Sequence, residues 1–285
     1  SLWSGLSKFV SLRSQPFDEG LYEHCFERRL QSWVSSRTVA QLTASVKRAG
    51  PDWDPLFVKL FLKSQRVKKI GKAHAAATKG QIVTDVSQAK LFRDQVWALY
   101  LEEVLLRRTR KNIYLHTRAN FSDMQRWYTK YWVTGAGCTA CDYTGWDSGV
   151  DESFTLLYSN VMRAFGIPDS VVDRFCSDRN NLRSFLGPMP AMQASGDRYT
   201  WLANTIGNMA VTGVSFDVGP KTAACFSGDD MIMCGYYDYR SSAASSQFIP
   251  KVIQAQLTEF CGFMYGSTRL HVSATVLLHR GTLAL

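Results

Sequence analysis

The residues best suited to chemistry are carboxylates in two short stretches. Ser227-Gly228-Asp229-Asp230 sets two adjacent carboxylates on a tight turn between apolar runs. Like charges side by side repel. A divalent cation relieves that repulsion, and Mg²⁺ prefers carboxylate and phosphate oxygens. Gly228 allows the positive φ that such a turn needs. Taken alone, the stretch is equally a solvated hairpin tip. Cys141-Asp142-Tyr143-Thr144-Gly145-Trp146-Asp147 ends a β-like apolar run in one acid and returns a second five positions later. Asp142 is then available to share two metal ions with Asp229, the arrangement that bridges attacking and leaving oxygens in an in-line phosphoryl transfer. Alone, it is a loop acid with an ordinary cap.

Two further stretches concern what those carboxylates would act on. Ser195-Gly196-Asp197-Arg198-Tyr199-Thr200-Trp201-Leu202-Ala203-Asn204-Thr205 reads as a turn leading into a helix. Thr200 and Asn204 lie four apart, on one helical face. Both hydrogen-bond hydroxyls, and a ribose offers two; the alternative is a capped helix with its polar residues in solvent. Between Lys59 and Lys79 there are seven basic residues and no acid. That suits a triphosphate or a nucleic-acid backbone, or simply a solvated basic face.

The 285 residues are enough for one large domain or two modest ones, and 46% hydrophobic with 20% charged residues is ordinary for a folded protein. No apolar run approaches the roughly 18 residues of a membrane span. The N-terminus carries neither a signal peptide nor an initiator Met, and the expectation is a piece of a longer chain. Charge is lopsided. Residues 1–130 hold 23 Lys and Arg against 11 Asp and Glu, a net of +12; residues 131–285 hold 10 against 13, a net of −3. A polyanion partner on one side and bound cations on the other fit that asymmetry. Seven scattered cysteines, only Cys138 and Cys141 in a Cys-x-x-Cys, read as buried reduced thiols rather than as a zinc or redox site, and the five histidines do not cluster.

The elements that must position these residues are a mix of helices and strands, helices dominant. Helices are expected over 17–49 (stopped by Gly50-Pro51), 86–109, 152–165, 199–213 and 251–261. Strands are expected over 58–62, 221–226 and 231–236, the last two forming a hairpin around Ser227–Asp230. The basic run Arg107-Arg108-Thr109-Arg110-Lys111 reads as a helix C-terminus helped by the macrodipole, or as a phosphate contact.

A basic stretch, a DxxxxD, an SGxxxTxxxNT and a GDD, in this order, resemble motifs F, A, B and C of viral RNA-directed RNA polymerases. The resemblance is to the alphavirus-like supergroup, within it the tymovirus and flexivirus lineage of plants and fungi. Pro51-Asp52-Trp53 with Phe61-Leu62-Lys63-Ser64-Gln65 resembles the opening of motif F in that lineage. Lys79-Gly80-Gln81, Ser227-Gly228-Asp229-Asp230-Met231 and Phe260-Cys261-Gly262-Phe263 are similar to its later landmarks. Two motifs depart from it. Asp142-Tyr143-Thr144-Gly145-Trp146-Asp147-Ser148-Gly149-Val150 stands where Asp-Tyr-x-Ala-Phe-Asp-x-Ser-Gln is usual in motif A, and Ala-Ser-Gly-Asp opens motif B instead of Thr-Gly-Glu. No demanded carboxylate or hydroxyl is lost.

The resemblance implies an α/β (α+β) right-hand polymerase. Fingers would span 1–135 (motif F about 59–81), and an RRM-like antiparallel palm sheet flanked by helices would span 136–262. Within the palm, motif A would take 141–149, B 193–205, C 225–233 and D/E about 251–263, and a truncated thumb would begin at 263–285. It implies that Asp142 and Asp229 hold two Mg²⁺ ions (Mn²⁺ a possible substitute) with Asp230 in support. Asp147 and Asn204, assisted by Thr200, would read the ribose 2′-hydroxyl. Ser195 and Gly196 would form a loop under the template–nascent pair, Lys63, Arg66 and Lys68 would clamp the triphosphate, and Lys251 is a candidate proton donor. The implied partners are template and nascent RNA, NTPs, and the methyltransferase and helicase domains of a replicase. The implied place is the host cytoplasm, in complexes associated indirectly with membranes. A reverse transcriptase would show Tyr-x-Asp-Asp and no ribose-reading Asn204. A non-catalytic RNA-binding remnant would have a broken carboxylate set, and an unrelated Mg²⁺ nuclease would not need the Thr200/Asn204 helix.

Overall fold

The structure, a computed structural model, describes residues 1–36, 38, 40, 54, 56–62, 82–86, 88–118, 120–189 and 197–274. Its elements begin with α1 (Leu2–Ser7), α2 (Glu19–Ser36), β1 (Lys59–Leu62), β2 (Ile82–Asp85), α3 (Gln88–Arg108), β3 (Ile113–Leu115), α4 (Phe121–Tyr131), β4 (Cys138–Thr144), α5 (Trp146–Gly149) and α6 (Glu152–Ala164). They continue with α7 (Asp169–Asn181), β5 (Arg183–Ser184), β6 (Gly187–Pro188), α8 (Thr200–Ser215), β7 (Ala224–Ser227), β8 (Asp230–Cys234), β9 (Ile249–Ala255), β10 (Thr258–Phe260), β11 (Phe263–Tyr265) and β12 (His271–Val272). The chain divides into two compact units, each assembled from separate stretches: Ser1–Phe17, Leu101–Ile167 and Trp201–Leu285 in the first, Asp18–Tyr100 and Pro168–Thr200 in the second.

The first unit is built on a five-stranded sheet of order β3-β7-β8-β4-β9. Its four strands β7, β8, β4 and β9 are antiparallel, as expected for the resemblance. The sheet is mixed overall, since β3 pairs in parallel with β7. Ile113 and Leu115 of β3 are buried, and the strand covers an edge whose own residues Ala224, Cys225 and Phe226 are fully buried. An uncovered edge of that kind is prone to pair with other chains. One large core lies against the sheet, where Met124 and Tyr128 of α4 meet Trp132, Cys225, Ile232, Phe260 and Tyr265. Helix α8 is buried at 13 of its 16 residues, the pattern of a helix inside a core rather than on its surface.

The expected helix over 251–261 is not formed. Residues 249–255 are the edge strand β9, in seven-residue register with β4 from Cys138↔Ala255 to Thr144↔Ile249. Residues 258–260 open a second, three-stranded sheet. Val252 and Ile253 are β-branched and suit a strand, and the sheet's need for a partner along β4 overrides the helical tendency of the Gln- and Ala-containing remainder. The β10–β11 turn is a two-residue loop in which both Cys261 (φ +50°) and Gly262 (φ +82°) have positive φ. A type I′ loop requires that combination.

The basic run 107–111 serves the fold. Arg108 hydrogen-bonds the Gln15 side chain and the Arg13 carbonyl, and Arg110 donates to the Ser7 carbonyl at 3.3 Å. All seven cysteines are free. Burial pushes the Cys138 and Cys141 thiols up to about 12 and about 11.

The second unit is organised by a buried cation. Lys90 on α3 is 4% exposed. Its ammonium lies 2.6 Å from Asp94, 3.0 Å from Asp197 and 3.8 Å from Asp178. Arg93 bonds Asp94 at 2.9 Å and also pairs with Asp178. Burial alone would depress the Lys90 pKa, but the charges of Asp197 and Asp94 outweigh it and hold the amine above its ordinary value. Removing the cation would leave clustered carboxylates without a counter-charge. Lys90→Met is therefore expected to cost about 3–5 kcal/mol of unfolding free energy, read by chemical denaturation. A loss below about 1 kcal/mol would mean that the carboxylates are neutralised by other means.

Candidate active site

Strand β4 alternates, with Cys141 and Tyr143 buried and Asp142 and Thr144 exposed, so Asp142 stands on the open face of the sheet. Lys251 is its register partner on β9, with the ammonium 3.5 Å from Asp142 Oδ2. Both side chains are more than half exposed, and such a pair is a weak attraction.

The β7–β8 hairpin closes on Ser227↔Asp230, which leaves Gly228 and Asp229 as the loop. Gly228 takes φ +61°, the sign a two-residue hairpin loop demands at its first position. Burial pushes the Asp229 carboxyl above the usual range; its own backbone N–H opposes this and the Asp142 charge adds to it. Asp147, on α5 just after β4, is likewise pushed up by burial, opposed by the Asn204 amide and further raised by the Asp229 charge. Asn204 Nδ2 donates to Asp147 Oδ1 at 3.2 Å. Three carboxylates therefore share one field, Asp142 with Asp229 and Asp229 with Asp147. A carboxyl whose folded pKa is raised weakens the folded state when it ionises, and the penalty is relieved as the pH falls.

Helix α8 holds the loop. Trp201 Nε1 donates to Ser227 Oγ at 3.2 Å, Thr205 Oγ1 accepts the Gly228 N–H at 2.9 Å, and Asn208 Nδ2 donates to the Gly228 carbonyl at 3.2 Å. Ser227 Oγ also donates to the His116 carbonyl at 3.4 Å. Thr205, Asn208 and Thr212 are wholly buried, and the first two turn their polar groups toward the β7–β8 loop.

The structure thus brings Asp142, Asp147, Asp229, Asp230, Asn204 and Lys251 together around the end of one sheet. Asp230 is the first residue of β8 and exposed. Thr200, the first residue of α8, donates its N–H to the Asp197 carbonyl at 3.2 Å within the second unit. Lys63, Arg66, Lys68, Ser195 and Gly196, with the rest of the basic stretch after Lys59, lie outside the described residues.

Sequence reasoning missed Trp201, Thr205 and Asn208. The available signal was their polarity inside an otherwise apolar helix, at spacings of four and three on one face. It also missed Phe248, which stacks on Trp146 at 4.4 Å and packs edge-on to Tyr143 and Phe154. That cluster anchors the start of β9, the strand that carries Lys251, on the helix and strand that carry Asp147 and Asp142.

The donor set suits a hard divalent cation. Asp142 and Asp229 offer carboxylate oxygens already in mutual repulsion. Among the described residues no cage of three or more His, Cys, Asp or Glu side chains is preformed. A pair of carboxylates with coordination sites left for water and phosphate is how Mg²⁺ is commonly held.

A family model described as RNA dependent RNA polymerase matches residues 95–264, more than half of the chain. The RNA replication protein of Botrytis virus F is 28% identical over 229 residues, covering 80% of this chain and 12% of that protein. The RNA-directed RNA polymerase of apple chlorotic leaf spot virus is 28% identical over 264 residues, 89% of this chain and 14% of its own length. The RNA replication polyprotein of apple stem pitting virus is also 28% identical over 264 residues, 90% of this chain and 12% of that protein. The chain therefore spans about an eighth of the length of these relatives.

Asp229→Asn removes a desolvated charge that Asp142 repels. In metal-free buffer at neutral pH it is expected to raise the melting temperature by about 1–2 °C, the scale of a fraction of a kcal/mol in a chain this long. Added Mg²⁺ should raise the melting point of the parent and leave that of the variant unmoved. Equal Mg²⁺ shifts in both proteins would remove Asp229 from the metal site.

Proposed function

The chain belongs to the RNA dependent RNA polymerase family, and from that premise we propose that it carries out RNA-templated RNA synthesis within a larger viral replication protein. The observation that carries this reading is the convergence of Asp142, Asp229 and Asp147 on one electrostatic site beside Asn204. The reaction is nucleotidyl transfer, in which the RNA 3′-hydroxyl oxygen attacks the α-phosphorus of an NTP and pyrophosphate leaves. Asp142 and Asp229 would hold two Mg²⁺ ions, with Asp230 in support; when bound, the metal supplies charge neutralisation of the triphosphate and a lowered pKa of the 3′-hydroxyl.

The chain's own groups then divide the remaining work. Asn204 and Asp147 form a polar pair at the height of the loop. A ribose 2′-hydroxyl can replace one partner of that pair, donating to the carboxylate while accepting from the amide. A deoxyribose leaves the pair unanswered, which is how a site built for a hydroxyl rejects the analogue lacking it. Thr200 would assist, and Ser195 with Gly196 would form the loop beneath the template–nascent pair. Lys63, Arg66 and Lys68 would clamp the triphosphate, since transfer of this kind depends mostly on positioning and charge neutralisation. Lys251, the β9 partner of Asp142, would hand a proton to the departing pyrophosphate.

In this reading the five-stranded sheet with α6 and α8 is the palm, the basic N-terminal stretches belong to the fingers, and the chain after residue 263 starts the thumb. Base pairing reads the sequence, so the protein grips backbone and shape. Relatives named as replication polyproteins support partners within one long chain, with methyltransferase and helicase domains the expected neighbours. No described helix is long and apolar enough to cross a membrane; attachment to host cytoplasmic membranes in replication complexes would come through those neighbours.

RNA-templated incorporation of labelled NTP with Mg²⁺ is expected from the intact chain, or from a longer one restoring its flanks, and Asp229→Ala should lose at least about 10²–10³-fold. Product equal to that of the parent would refute the site. Asn204→Ala should retain incorporation while narrowing the preference for NTP over dNTP.

A further inference from the structure

The roles proposed above leave the centre of α8 without a task, although it is where the helix is most polar and most buried. Thr205, Asn208 and Thr212 are wholly buried, and a buried polar group is costly unless it is hydrogen-bonded. Here the partners are directional. Thr205 donates its hydroxyl hydrogen to the Trp201 carbonyl at 2.7 Å, which leaves its oxygen to accept the Gly228 N–H. Thr212 Oγ1 lies 3.2 Å from Asn208 Oδ1 and donates to it, which fixes the Asn208 amide with its NH₂ toward the Gly228 carbonyl. The Gly228 N–H belongs to the peptide before that residue, and its carbonyl to the peptide shared with Asp229. Two side chains of one helix therefore hold the peptide planes on both sides of the Gly228 Cα.

We propose that Thr205 and Asn208 are positioning residues that clamp the Gly228 peptides to α8 and thereby fix the Asp229 carboxylate relative to Asn204, the neighbour of Thr205 on the same helix. The inference rests on the polymerase reading for its consequence and on the hydrogen-bond geometry alone for the clamp. The clamp is needed because Asp229 is repelled by Asp142 and by Asp147. A two-residue loop with a glycine is free to swing away from that repulsion until a cation arrives. Tying Gly228 to a buried helix keeps the carboxylate in place before the metal binds, so the cost of ordering it is met in folding rather than in binding. The same tie makes the ribose reader and the metal loop one rigid piece. A hydroxyl that engages Asn204 and a metal that engages Asp229 then act on a common helix.

The test compares Thr205→Val, which keeps the shape and removes the hydroxyl, with Thr205→Ser, which restores it. Ser159→Ala on α6 serves as a control for the loss of a buried hydroxyl remote from the loop. The first readout is hydrogen–deuterium exchange of the segment 224–232 in metal-free folded protein. The second is the Mg²⁺ dependence of templated incorporation. Thr205→Val is expected to speed exchange at 224–232 by about tenfold or more, the consequence of losing one protecting bond in a buried loop. It should also raise the Mg²⁺ concentration for half-maximal rate several-fold while the KM for NTP stays near that of the parent. Thr205→Ser should restore both, and Ser159→Ala should change neither. Parental exchange in Thr205→Val would overturn the clamp. Should that variant not fold, Thr212→Val carries the same test: it leaves the Thr205 bond intact and frees Asn208 to flip, so faster exchange supports the clamp and unchanged exchange overturns it. If the parent chain makes no product, the polymerase reading fails by itself, and the exchange comparison still decides whether α8 holds the loop.

Discussion

Two carboxylates that repel each other, held where water cannot fully screen them, are the constraint on which the rest of the first unit depends. Asp142 ends the exposed side of a central strand, and Asp229 sits in the loop of the neighbouring hairpin. Nothing in local chain preference favours that juxtaposition, and burial makes it worse. The surrounding structure supplies rigidity in proportion. The hairpin strands are buried at every residue but Ser227 and Asp230, their outer edge is covered by a parallel strand, and a helix with almost no solvent-facing residue is bonded to Ser227 and Gly228 through three of its side chains. A flexible surface hairpin carrying the same Gly-Asp-Asp would relax away from its neighbour. The helix prevents this, and the sheet is the base against which the helix acts.

The same constraint explains which parts of the site were legible in the sequence. Ser227-Gly228-Asp229-Asp230 declares itself because its logic is local: a glycine at the position needing positive φ, two acids, and apolar β-prone residues on both sides. The Asp142-to-Asp147 spacing is legible for the same reason, a strand end followed by one turn, and Thr200–Asn204 because helical periodicity is short-range. Order along the chain then joined these fragments, and the family match over residues 95–264 agrees with that joining. What stayed hidden depends on distant partners. Thr205 and Asn208 look like ordinary helical residues until the loop they hold is placed beside them. Phe248 is an isolated aromatic until it meets Trp146. Residues 251–261 offer a plausible helix and become strands because β4 lacks a partner on that side, a demand that only the assembled sheet can make.

The departure from the family pattern at Trp146 gains a physical meaning in this setting. The larger indole reaches across to stack on Phe248 at an interplanar angle of 17°, so the helix carrying Asp147 is fastened to the start of β9. The seven-residue register of β9 with β4 then brings Lys251 opposite Asp142. A change in this one aromatic residue is thus felt on the neighbouring strand, at the basic side chain that pairs with Asp142. Genus-level variation at such a position need not alter the chemistry of the carboxylates, because it adjusts where the neighbouring cation stands.

A comparison of the two buried charge systems shows where the molecule concentrates electrostatic stress. In the second unit, Lys90 is as inaccessible as any core residue, yet the carboxylates around it outweigh the penalty of burial and its charged form is favoured. That network is closed, because every charge in it has an opposite neighbour among Asp94, Asp178, Asp197 and Arg93. In the first unit, Asp229 and Asp147 are less deeply buried and still disfavoured as anions, because burial is compounded by a neighbouring carboxylate and only partly opposed by hydrogen bonds. Among the described residues, only the exposed Lys251 is paired with this cluster. An internal cation there would satisfy the carboxylates permanently and leave nothing for an incoming metal and its triphosphate to neutralise. The open electrostatic account of the first unit is therefore what the proposed metal site requires, and the closed one of the second is the form of a scaffold.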